Sequence, residues 1–224
     1  EKYLGKNDKL PQGMANGGPV TDNFTPNNVQ GIGPEVRKIL EAKGVNIDGA
    51  LILARIVGQM ESKNVFNAKQ SLGPEQDELE EYGPGMGLYQ YEWNKVKTGQ
   101  AAETAYTHAV QAGLDPETQW MKNLKAANYN VVDAGLTAEE QTELFLLDQL
   151  KGLNNFTATT SDIVNATSAD KMSTEAFAYW LDHHKKVYEV EADEKIKWDD
   201  RALPISKELY QSPGGRSMTD AAIG

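Results

Sequence analysis

The 224-residue chain contains no cysteine. That excludes disulfides, thiol catalysis and cysteine-ligated zinc, and it leaves the compartment open. Long apolar runs are missing as well. Apolar residues make up 39% of the chain, but no run approaches the roughly 18 residues a membrane span needs, so no membrane partner is expected. Dense Lys/Arg clusters are also absent. With 33 acidic against 22 basic residues and a net charge of −11, binding of nucleic acid through phosphate neutralisation is not expected. The same charge disfavours lingering on an anionic cell wall, although simple solubility accounts for it equally. No signal peptide is expected. A start at Glu1 rather than Met suggests a processed product or part of a longer polypeptide.

The two ends of the chain lack apolar periodicity. Residues 1–30 are rich in Gly, Asn and Pro and read as a linker or arm, and residues 213–224 read as a second flexible tail. Between them the signals are helical. GPEVRKILEAKG places Pro34 at a first helical position and Gly44 just past the end. Asp48 is the candidate cap of a second helix, GALILARIVGQMES, in which Leu53, Ile56, Val57 and Met60 form one apolar stripe. Thr137 and Glu140 form a capping-box pattern, with Gly152 as the expected end of that helix. Further helices are predicted around 100–112, 116–127, 161–166, 173–187 and 192–210. Residues 66–95 differ, being rich in Gly, Pro and acidic side chains. They predict loops and a small hairpin.

Two stretches invite chemistry. In GQMESKNVFNAK, Glu61 ends the most apolar helix and sits beside its stripe, above Val57 and Gly58. A carboxyl at the rim of a core is partly desolvated, which raises its pKa and suits it to general-acid catalysis. The ordinary alternative is a polar residue at a helix end, although the helix dipole disfavours negative charge there. In GPGMGLYQYEW, Tyr89, Tyr91 and Trp93 alternate and would share one face of an extended segment. Such a face, with Gln90 beside it, suits sugar rings, and a short strand filling the core suits the pattern too.

Taken together, Glu61-Ser62, Asn67 and Gly85-Met86-Gly87-Leu88-Tyr89-Gln90 resemble the motifs of the lysozyme-like superfamily, which includes goose-type lysozymes and lytic transglycosylases. The later segments TAEEQTELFLLDQLKG, SDIVNATSADKMSTEAFAYWLDHH and EKIKWDDRALPISKELY look like the lysozyme-like domain of phage tail proteins. The resemblance covers about residues 31–212, a usual domain size. It implies a mainly α, lysozyme-like fold with a small irregular or β-hairpin segment after the catalytic helix. The implied activity is cleavage of peptidoglycan between N-acetylmuramic acid and N-acetylglucosamine, by a muramidase or a lytic transglycosylase, with no cofactor. Glu61 would be the general acid. Ser62 would orient it, and Asn67, Tyr89, Gln90 and Tyr91 would line the glycan groove. The implied partners are bacterial peptidoglycan and other tail or baseplate proteins, with the chain carried on a virion tail. In two respects the chain departs from the pattern: the segment between the motifs is unusually acidic, and Tyr91 stands where tail lysozymes show Trp.

Many glycosidases use a second carboxylate. Asp77, Glu78 and Glu81 are the candidates, with Glu75, Glu80 and Glu92 nearby, and the sequence does not choose among them. If none serves, the substrate's acetamido group would assist, as the transglycosylase resemblance implies. Metal hydrolysis is not expected. His183 and His184 are adjacent and point about 100° apart on a helix, His108 stands alone, and all three read as surface or helix-end residues. A catalytically inactive structural tail component on the same fold is the competing expectation.

Overall fold

The computed structural model describes residues 31–63, 85–93, 101–184 and 192–211. Among them the chain is mainly helical with one two-stranded hairpin. The helices are α1 (Pro34–Ala42), α2 (Ile47–Ser62), α3 (Ala101–Ala112), α4 (Gln119–Ala126), α5 (Ala138–Gln149), α6 (Leu153–Val164), α7 (Ala169–His184) and α8 (Ala192–Gln211). Strands β1 (Gly85–Met86) and β2 (Tyr91–Glu92) pair antiparallel, with Gly85 opposite Glu92 and Met86 opposite Tyr91.

Helix α2 is the hub. It packs against α1, α5, α6, α7 and α8, which is why Leu53, Ala54, Ile56 and Val57 have no exposed surface. Its start is fixed by Asn46, whose side chain accepts from the Gly49 N–H at 3.0 Å. The expected cap, Asp48, instead lies inside the first turn, where its charge favours the helix dipole. Gly49 sets the approach of α6. A Cβ there would stand 1.9 Å from the backbone oxygen of Thr160, so only a bare Cα lets the two helices meet.

Helix α5 is buried on every side from Gln141 to Gln149. Its capping box forms as the sequence predicts: Thr137 Oγ1 accepts from Glu140 N at 3.2 Å, and Glu140 Oε2 accepts from Thr137 N at 2.8 Å. Gly152 does not stop the helical path. The chain passes through a 3-10 turn at Leu150–Gly152 and restarts at once as α6, well before the predicted 161–166 segment. The Asn and Thr residues of LNNFTATTS are weak helix formers, so the sequence under-reports this helix. Packing of Phe156, Thr160 and Ile163 into the core holds it instead. The core runs from Ile32 to Leu209 and joins every helix above.

Candidate functional site

Glu61 lies half-buried in the last turn of α2, which Lys63 closes in the left-handed conformation at φ 58°. This is the rim position the periodicity predicts. Contacts among the described residues fix the local geometry. Trp180 of α7 donates its indole N–H to Glu61 Oε1 at 2.6 Å. Arg201 of α8 donates from Nη1 to the Met60 carbonyl at 3.1 Å, bringing a cation to a helix C-terminus that favours one. Ser62 turns its hydroxyl back along α2 to the Gly58 carbonyl at 3.2 Å. One turn of α2 is thus tied to two helices that lie more than a hundred residues further along the chain.

Trp180 is itself held. It is 4% exposed, and its ring lies 5.7 Å from Trp198 and 6.2 Å from Phe177, centroid to centroid. The Trp198 N–H donates to Ser173 Oγ at 2.9 Å, which pins that ring in turn. Phe177 and Trp198 also line a cavity of about 270 Å³ between α7 and α8, together with Ser173, Lys195 and Asp199.

The turn 87–90 is built differently. Gly87 has φ +77°, and a Cβ on it would meet Gln141 Oε1 at 2.3 Å and Val131 Cγ2 at 2.7 Å. Gln141 is fully buried and satisfied on both ends of its amide: Oε1 accepts from Leu88 N at 2.8 Å, and Nε2 donates to the Leu136 carbonyl at 2.9 Å. Gln90 folds its amide back to the Gly87 carbonyl at 2.7 Å.

The aromatic face expected here does not form. Tyr89 is 6% exposed and stacks on Phe145 at 4.2 Å and 8°. Its hydroxyl lies 3.0 Å from Thr142 Oγ1. Because Thr142 spends its own proton on the Ala138 carbonyl, Tyr89 is the donor. Tyr91 is also buried, and its hydroxyl has no hydrogen-bond partner among the described residues. Burial pushes both phenols well above the ordinary tyrosine pKa. Trp93 is half-buried elsewhere, donating to the Asn128 carbonyl at 3.0 Å. The physical reason is the length of the strands. Residues 87–90 turn, so the two-residue strands are too short for alternation to gather these rings on one face. Tyr89 and Tyr91 are core residues. Withdrawing Tyr89 to meet a sugar would forfeit a stacked pair worth about 0.5–1.5 kcal/mol and a buried hydrogen bond worth about 1 kcal/mol.

Asn67, Glu75, Asp77, Glu78, Glu80 and Glu81 lie outside the described residues. Glu92 is exposed on β2. His108 is not a free surface residue: its Nδ1 lies 2.6 Å from Asp148 Oδ1, and Asp148 also pairs with Lys151 Nζ at 3.0 Å. The sequence reading missed one further acid, Glu143 of α5. Its carboxylate accepts from Gly33 N at the start of α1, at 2.5 Å. Burial pushes its pKa up to about 7, the Gly33 bond opposes this, and the charges of Glu139, Glu140 and Glu35 add to it. Glu143 pins the entry to α1. Trp180 was missed too, since a tryptophan in an amphipathic helix reads as core, which most of its ring is.

Comparisons with protein-family models, with curated proteins and with solved structures found no match to this chain.

Proposed function

We propose that this chain adopts a lysozyme-like fold and cleaves the glycan strand of peptidoglycan at the N-acetylmuramic acid–N-acetylglucosamine bond, with Glu61 as general acid. The observation that carries the reading is the placement of Glu61: a half-buried carboxyl in the last turn of the central helix, fixed by an indole donor at 2.6 Å. A group held this way is oriented before substrate arrives, which is what a proton donor to a leaving oxygen requires. In the proposed reaction Glu61 gives its proton to the glycosidic oxygen as the sugar C1–O bond breaks. The resulting carboxylate then takes a proton from the incoming nucleophile. In a muramidase that nucleophile is water; in a lytic transglycosylase it is the muramic acid's own C6 hydroxyl. The resemblance to phage tail lysozyme-like domains supports a reading in which the activity is carried on a virion tail and opens the wall locally during DNA ejection.

The burial of Tyr89 and Tyr91 favours a second reading. A lysozyme-like domain whose expected glycan-facing rings are packed inward fits an inactive structural tail component. Digestion of purified peptidoglycan tests both. Release of muropeptides supports the enzyme. Reducing muramic acid ends identify a hydrolase, and anhydro ends identify a transglycosylase. Intact walls from several bacteria would support the structural reading.

A further inference from the structure

Glu61 stands where a helix dipole opposes negative charge, yet an acid catalyst becomes negative at the moment it acts. We infer that Trp180 is the positioning residue that resolves this conflict; the inference rests on the reading of Glu61 as general acid. The indole N–H is a donor only and does not titrate in the working range, so it cannot compete for the proton. Its bond to Oε1 at 2.6 Å favours the acid form that carries its proton on Oε2. A hydrogen bond to a carboxylate is about twice as strong as one to a neutral acid. The bond therefore tightens as Glu61 gives up its proton, and its gain falls on the transition state rather than on substrate binding.

The surroundings of Trp180 fit this role. Phe177 and Trp198 flank its ring, and the bond from Trp198 to Ser173 fixes that neighbour. The donor direction is thus set by α7 and α8, while the acid comes from α2. Arg201, also on α8, binds the last turn of α2 through Met60. Relative motion of α2 and the α7–α8 pair would therefore misalign the acid.

The test replaces Trp180 in the full chain in two ways. Trp180→Phe keeps a ring but shortens it. Benzothienylalanine at position 180 keeps the indole outline and lacks only the N–H, which covers the case in which the phenylalanine variant folds poorly. Cleavage of purified peptidoglycan should show kcat lowered about tenfold in the benzothienyl variant, equivalent to about 1.4 kcal/mol in the barrier, with KM within twofold of wild type. A kcat equal to that of wild type overturns the assignment, as does a loss confined to KM. Two controls separate this from the underlying reading. If Glu61→Gln still cleaves, or if wild type cleaves nothing, the general-acid reading falls and this assignment with it. If Glu61→Gln is inactive and the benzothienyl protein matches wild type, the role of Trp180 alone falls.

Discussion

The last turn of α2 and the turn at 87–90 hold similar residue types and use them in opposite ways. Each brings a polar side chain and an aromatic ring to the edge of the core beside a residue of positive φ, Lys63 in one and Gly87 in the other. At Glu61 the polar group stays at the rim and an aromatic reaches out to it from a distant helix. At Gly87–Gln90 the aromatic goes inward, and a buried glutamine from α5 reaches out to the backbone. The first arrangement leaves a half-buried carboxyl fixed by a donor from another helix. The second turns Leu88 N–H, the Tyr89 hydroxyl and the Gln90 amide onto the protein's own frame and reads as scaffold.

If the 87–90 turn and the packing of α2 are scaffold, damage there should unfold the chain. Gly49→Ala is expected to be the most harmful change, because its methyl would overlap the Thr160 backbone. A loss of about 3 kcal/mol or more in urea denaturation is expected. Gly87→Ala follows, combining a positive φ with overlap of Gln141 and Val131, at about 2–3 kcal/mol. Gln141→Leu strands the buried Leu88 N–H and should cost about 1–3 kcal/mol by the same measurement. A fully stable Gln141→Leu protein would mean the turn is held by something else.

Glu143 gives a pH-dependent version of the contrast. Its carboxyl titrates at about 7 in the fold and near the ordinary 4.5 when unfolded. Between those values the folded form keeps a proton the unfolded chain has lost. Its stabilising contribution is therefore complete below pH 4.5 and is lost as pH rises through 7. Glu143→Gln keeps an oxygen for the Gly33 N–H and removes the charge. Thermal melts should show the variant more stable than wild type at pH 8, by about 1–2 kcal/mol after solvent screening, and equal to it below pH 4.5. Glu61→Gln should have the smallest effect on stability, within about 0.5 kcal/mol, since the amide oxygen still accepts from Trp180.

Much of the helical frame was legible because its signals are local. Pro34 at the start of α1 and the Thr137–Glu140 capping box of α5 are short-range patterns, and both form. The position of Glu61 followed from one helix's periodicity. What the sequence hid is one local choice between neighbouring caps and several long-range contacts. Asn46 outcompeted Asp48 as the cap of α2 by a shift of two residues along the chain. Helix α6 depends on tertiary packing that overrides its weak propensity. The inward turn of Tyr89 depends on Phe145, and the link from Trp180 to Glu61 spans α2 to α7. No spacing rule connects residues that meet only after folding.

The central claim is that Glu61 is the acid that cleaves glycan, and its most direct measurement compares wild type with Glu61→Gln on purified peptidoglycan, both confirmed folded by thermal melting. The expected result is muropeptide release by wild type and none by the variant at unchanged or higher melting temperature. Equal behaviour of the two proteins, whether both cleave or neither does, would contradict it.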